Sequence, residues 1–346
     1  MKLVATTILI ILVSFGTFYF LKGSDVSLNR GLNSISSLIK ISPHATPFPF
    51  EELTMPYLRA REYKSALEEM TKYQDKANYT SYLTNYNSDG LKINGLVTIP
   101  KGDAPSGGHP AIVFVHGYIA PTIYETTTKY ADYVDFLARN GFVVFKIDLR
   151  GHGDSEGEAG GAYYSSDYVV DTLNAYSALL DADFVNPKRV GLWDHSMAGN
   201  GTFRSFTAKK DIPAIVIWAG AGYTYSDLLD YRIMDTSYRA PQQTTERAKR
   251  RQLLRDTYGE FNPENEFWKQ IPATNYLEGV KGAVSLQHAV NDNVVSIEYS
   301  RNLDKLLDST NIPHELNEYG SGGHNLTGTS FTQAMQKTVE FFKENL

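Results

Sequence analysis

Ser196 stands in Val190-Gly191-Leu192-Trp193-Asp194-His195-Ser196-Met197-Ala198-Gly199-Asn200, where an apolar, strand-like run turns sharply into a helical pattern. A serine hydroxyl is a weak nucleophile at neutral pH. It becomes a useful one when a base within hydrogen-bond reach takes its proton and a third group orients that base. A tight strand-to-helix turn suits this chemistry. It exposes Oγ and aims the helix N-terminus, together with the next backbone N–H, at negative charge developing on a substrate oxygen. Here that N–H belongs to Met197. On this segment alone a turn serine or a helix cap reads as well, so the rest of the chain must supply the base and its partner.

The elements that would position such a site are legible from hydrophobic patterning. Two alternating runs, Tyr79 to Tyr86 and Leu91 to Ile99, flank Asn87-Ser88-Asp89-Gly90 and read as a β-hairpin. Beyond Pro110, short continuous apolar runs (Ala111–Val115, Phe142–Ile147, Arg189–Trp193, Ala214–Trp218 and Ala283–Leu286) alternate with amphipathic stretches, and a last strand is expected at His314–Tyr319. The helical stretches are expected near Tyr124–Arg139, Tyr168–Leu180, Ala198–Lys209, Ser296–Asp308 and Thr332–Glu344. Uninterrupted Val/Ile runs are the pattern of strands buried on both faces. Their alternation with helices predicts an α/β fold with a mostly parallel central sheet, helices on both faces and the hairpin as an antiparallel addition. Residues 223–280 interrupt the rhythm with an insertion rich in charge and aromatic side chains, which reads as a helical lid.

Composition excludes several functions. The 346 residues carry a net charge of −6 with no long basic run, so the electrostatic footprint of nucleic-acid binding is missing. The basic cluster Arg247, Lys249, Arg250, Arg251 and Arg255 reads first as the solvated face of a helix. There is no cysteine, which removes thiol catalysis and disulfides. His152, His195 and His288 read as packing or hydrogen-bonding residues. No pair of His or carboxylates stands at helical ligand spacing opposite a third ligand, so neither a metal nor a cofactor is expected. Leu3 to Leu21 is uncharged between Lys2 and Lys22, which predicts a membrane anchor or signal peptide over residues 1–22 and a membrane-anchored or exported protein. The polar, then Pro-rich residues 23–78 read as a linker or surface arm leading to a catalytic domain over 79–346.

The segment around Ser196 resembles the nucleophile elbow of the α/β-hydrolases, and further motifs follow in that superfamily's order. His116-Gly117-Tyr118 after the first apolar run looks like its oxyanion loop, which implies Tyr118 N–H as a second donor beside Met197 N–H. Asp148-Leu149-Arg150-Gly151-His152-Gly153-Asp154-Ser155 resembles a structural turn of the same superfamily. Asp292, in His288-Ala289-Val290-Asn291-Asp292, matches its acid loop, and His324, in Gly322-Gly323-His324-Asn325, matches its base. The likeness runs from about residue 78 onward and is nearest to prolyl-oligopeptidase catalytic domains and dienelactone-hydrolase-like esterases and peptidases.

That resemblance implies a serine hydrolase with Ser196, Asp292 and His324 as catalytic residues, acting on a small ester or peptide. Trp218, Tyr223 and Trp268 are the candidates for an apolar substrate pocket, unless the aromatics of the insertion simply pack it onto the body. Two positions depart from the family pattern. Ala198 replaces one small elbow residue by another, whereas Asp194 places a carboxylate where the elbow usually has glycine. Asp194 therefore leaves three expectations open: a tolerated variant, a weakened enzyme, or a binding protein that has kept the fold and lost turnover.

Overall fold

The computed structural model describes residues 49–163, 165–231, 233–237 and 245–346. The expected anchor over residues 1–22, and the arm as far as residue 48, lie outside them. Among the described residues no helix is long and apolar enough to cross a membrane.

Among the described residues nine strands form one sheet: β1 (Thr71–Asp75), β2 (Tyr79–Ser88), β3 (Leu91–Pro100), β4 (His109–Val115), β5 (Val143–Ile147), β6 (Val185–His195), β7 (Ala214–Trp218), β8 (Ala283–Ala289) and β9 (His314–Tyr319). Their spatial order is β1-β2-β3-β5-β4-β6-β7-β8-β9. β1 to β3 pair antiparallel and β3 joins β5 antiparallel, while every neighbour from β5 to β9 is parallel. The expected hairpin closes on Asp89 and Gly90, both at positive φ, and Asn87 Oδ1 accepts the Gly90 N–H at 3.1 Å. That two-residue turn matches the twist of the flanking strands.

Eight α-helices accompany the sheet among the described residues: α1 (Met55–Ala60), α2 (Ala131–Arg139), α3 (Asp167–Leu180), α4 (Ala198–Ala208), α5 (Tyr225–Asp230), α6 (Glu246–Tyr258), α7 (Glu298–Leu307) and α8 (Thr329–Asn345). Strand alternation sends side chains to opposite faces and so divides the core in two. Val190, Leu192, Ile215 and Ile217 face α3, α4 and α7, whereas Trp193, Val216 and Trp218 face α2 and α8.

Two stretches differ from expectation. The end of the expected arm is packed: Pro56 occupies the first turn of α1, Met55 and Leu58 are buried, and the Arg59 guanidinium donates to Thr207 O. The strand β1, Thr-Lys-Tyr-Gln-Asp, is exposed along its whole length and carries no apolar alternation. It is held by its ladder to β2, a tertiary cause that patterning does not register. In the insertion, Thr224 and Asp227 form a reciprocal cap on α5, and Thr245 caps α6. The rings of Tyr225 and Phe261 stack at 3.6 Å and those of Tyr258 and Phe267 at 3.8 Å, around a satellite core that includes Leu53, Leu254 and Trp268.

Candidate active site

Ser196 and Met197 form the two-residue turn between the end of β6 and the start of α4, and the Ser196 backbone is left-handed at φ 60°. This conformation is uncommon for a residue with a Cβ and persists where surrounding structure enforces it. Ser196 N–H donates to Trp218 O at 2.8 Å, and Ser196 O accepts from Gly199 N–H at 3.0 Å. Because α4 starts at Ala198, the Met197 N–H belongs to the helix end whose amides have no intrahelical acceptor.

The structure brings Ser196, His324 and Asp292 together from 128 and 32 residues apart. Ser196 Oγ lies 2.8 Å from His324 Nε2, and His324 Nδ1 lies 2.7 Å from Asp292 Oδ2. Asp292 Oδ1 accepts the N–H groups of Val294 (2.8 Å) and Val295 (3.0 Å), which anchor the loop after β8. Its Oδ2 also faces His288 Nε2 at 3.2 Å, and His288 Nδ1 lies 2.8 Å from Ser300 Oγ. The acceptors around Nε2, a carboxylate and Val295 O, require that nitrogen to carry the proton, so Nδ1 accepts from Ser300. Burial works to raise the Asp292 carboxyl. The hydrogen bonds from His288 and His324 outweigh it and hold the group below the usual carboxylate range. His288 thus holds the Asp292 carboxylate in place, a contact its sequence position alone did not reveal.

Tyr118 and Met197 stand with Ser196 in a cleft of about 1000 Å³, part of it open to solvent. Ala162, Tyr163, Ala221, Ile233 and Val295 supply apolar walls, with Asp235 and Arg251 among the polar groups. The insertion crosses beside it, where Ile233 bridges Val295 and Met234 N–H donates to Val294 O at 2.7 Å.

The expected pocket residues are placed differently. Trp218 is a correction: it lies on the α8 side of the sheet, fully buried, with its indole N–H 3.2 Å from Thr338 Oγ1. The period of two along β7 puts it on the face away from α4. Tyr223 and Trp268 line a neighbouring cavity, with Arg204 and Tyr225, that shares Tyr163 with the Ser196 cleft. In the basic cluster, Arg247 pairs with Asp167 at 2.9 Å, Arg250 with Glu52, and Arg251 reaches the cleft.

Asp194 is fully buried, and neither carboxylate oxygen has a hydrogen-bond partner among the described residues. It follows Leu192 in strand parity and so projects toward α4. Burial pushes its pKa well above the ordinary value, eased by the Thr202 hydroxyl, which makes no hydrogen bond of ordinary geometry to it. Burial without an ion-pair partner favours the protonated carboxyl over the carboxylate.

A mostly parallel sheet flanked by helices, with a left-handed serine on the turn after a central strand, defines an α/β-hydrolase. The chain belongs to the family described as serine aminopeptidase, S33, whose pattern matches residues 108–329. It is 28% identical over 132 residues to the thiohydrolase aneE of Aspergillus aculeatus, covering 38% of each chain. It spans less than half the length of the curated relatives it matches. Among solved structures it is similar to acetyl xylan esterase 1 from Thermoanaerobacterium sp. (TM-score 0.55, 19% identity, 83% of this chain and 90% of that one). It is similar also to a puromycin-hydrolyzing peptidase of Mycobacterium tuberculosis (TM-score 0.58, 20% identity, 79% of this chain and 40% of that one). At these identities the likeness concerns the fold.

Proposed function

We propose that this chain is a serine hydrolase that cleaves carboxylic esters or small peptides through an acyl-enzyme on Ser196. The observation that carries the reading is the chain of contacts from Ser196 Oγ to His324 Nε2 (2.8 Å) and from His324 Nδ1 to Asp292 Oδ2 (2.7 Å) at a left-handed elbow. His324 Nε2 takes the Oγ proton as Oγ bonds to the substrate carbonyl carbon. The carbonyl electron pair moves onto oxygen, where the N–H groups of Met197 and Tyr118 receive it. Collapse expels the alcohol or amine, which leaves with the proton from His324. Water then attacks the acyl group by the same route, releasing the carboxylic acid and restoring Ser196. Asp292 keeps Nδ1 protonated and stabilises the imidazolium. Ester, thioester and amide substrates share these steps, consistent with relatives named as a thiohydrolase, an esterase and a peptidase. The apolar walls around Ser196 favour a small apolar or aromatic acyl group.

Asp194 motivates the competing reading of a binding protein without turnover. Its projection toward α4, away from His324, favours the enzyme. A fluorophosphonate probe is expected to label the native chain and the Asp194→Gly variant, and to leave Ser196→Ala unlabelled. A native chain that stays unlabelled while Asp194→Gly labels would establish the binding protein instead. Rates on p-nitrophenyl esters against aminoacyl and prolyl amides then divide esterase from peptidase.

A further inference from the structure

The residue before the nucleophile and a tyrosine on the turn into α2 form a linkage across the site that the mechanism above does not use. Gly117 N–H donates to Tyr130 oxygen at 3.0 Å. Tyr130 oxygen lies 2.7 Å from His195 Nδ1, and His195 Nε2 lies 2.9 Å from the backbone oxygen of His324. Hydrogen-bond chemistry fixes every direction in this chain. A carbonyl only accepts, so His195 carries its proton on Nε2, and Nδ1 is left as an acceptor for the Tyr130 O–H. The tyrosine oxygen then accepts from Gly117. A doubly protonated His195 would put a donor against the donating tyrosine hydroxyl. Burial of this ring, with the His324 ring 4.7 Å away, pushes its pKa down to about 3.

A second, independent observation places the linkage directly beneath the oxyanion loop. A Cβ added at Gly117 would sit 2.8 Å from Tyr130 Oη, 2.9 Å from His195 O and 3.0 Å from His195 Nδ1. The glycine before Tyr118 is therefore in contact with the middle of the chain and leaves no room for a side chain. Tyr130 itself is held at φ 59° with its ring packed edge-on to Phe114 and Tyr133.

We propose that Tyr130 and His195 are positioning residues that fix the spacing between the Gly117-Tyr118 loop and the His324 loop across Ser196, through the directed chain Gly117 N–H to Tyr130, Tyr130 O–H to His195, and His195 N–H to His324 C=O. The inference rests on the serine-hydrolase reading, because its consequence is the simultaneous placement of oxyanion donor and base. Neither residue touches substrate. The loss on breaking the chain falls on the transition state, where both loops must act at once.

The test is a double-mutant cycle on the full chain with p-nitrophenyl butyrate, read as kcat and KM separately. Tyr130→Phe and His195→Ala are each expected to lower kcat at least tenfold with KM within threefold. The double variant should be no more than threefold worse than the poorer single one, because either change breaks the same chain. His195→Gln, whose amide can reach His324 O, should recover part of the loss, and His195→Asn, which is too short, should not. Losses that multiply, or no loss in kcat, would overturn the proposal. A native chain that neither labels nor turns over would instead remove the hydrolase reading. Ring 15N spectra then decide the linkage itself. The proposal requires a neutral, Nε2-protonated His195 from pH 5 to 9 and a shift of the Gly117 amide on Tyr130→Phe, and a ring that titrates in that range or an unmoved amide would sink it.

Discussion

Asp292→Asn is expected to lower kcat for p-nitrophenyl butyrate about 10⁴-fold while the protein remains folded. The size of the effect follows from which end of the new amide faces which neighbour. Oδ1 of residue 292 receives the N–H groups of Val294 and Val295, so the asparagine oxygen must stay on that side to keep the loop satisfied. The amide NH2 then takes the place of Oδ2 and points at His324 Nδ1, now 2.7 Å from a donor. His324 responds by losing its Nδ1 proton and carrying it on Nε2 instead. That nitrogen donates toward Ser196 and can no longer take the Oγ proton. Folding should survive, because the amide is nearly isosteric, its contacts with the Val294 and Val295 N–H groups persist, and the His288 Nε2–H that loses Oδ2 keeps Val295 O as its acceptor. The measurement is kcat together with the thermal midpoint. A variant keeping more than a tenth of native kcat would show that Asp292 does not set the tautomer of His324.

How much of this was readable beforehand depends on the physical origin of each feature. The strands β4, β5 and β7 and the second half of β6 announce themselves because both faces are buried, so the runs are dominated by apolar residues such as Val, Ile and Phe. The elbow is legible because Ser196 must stand between such a run and a helix. β1 escapes because its residues answer to a neighbouring strand and not to a core. Trp218 shows the limit of reasoning by proximity along the chain: it ends the strand beside Ser196, yet the period of two turns it to the α8 face, which the flanking Ile215 and Ile217 already indicated. The supporting contacts, Ser300 to His288 to Asp292 and Gly117 to Tyr130 to His195, join residues whose spacing carries no pattern. They exist only once the loops after β4, β8 and β9 are folded over the sheet.

Asp194→Asn should stabilise the protein by an amount that is near zero at pH 4 and grows with pH. In the folded chain the Asp194 carboxyl has no cation and no hydrogen-bond partner among the described residues, and burial raises its pKa well above the ordinary value. In the unfolded chain the same group ionises normally, near pH 4. Below that pH both states hold the proton, and the carboxylic acid and the amide resemble each other in charge and shape. Above it the unfolded state releases a proton that the folded state retains. Folding must then take one up, and stability falls by about 1.4 kcal/mol for each further pH unit until the folded-state pKa is reached. Asparagine has no proton to recover and escapes this slope. Urea midpoints for the two chains at pH 4, 6 and 8 should therefore diverge steadily, with the variant ahead at pH 8. Acid-labile groups elsewhere, such as Asp292 with its lowered pKa, act equally on both chains and drop out of the difference. A gap independent of pH would mean that Asp194 ionises in the fold. Such an anion beneath the elbow would need a partner, and the Thr202 hydroxyl is the polar neighbour from which one would have to be built. A pH-dependent gap would instead mean that Asp194 keeps its proton in the fold, that no charge stands beneath Ser196 to compete with an oxyanion for the N-terminus of α4, and that an acidic residue here is compatible with the proposed turnover.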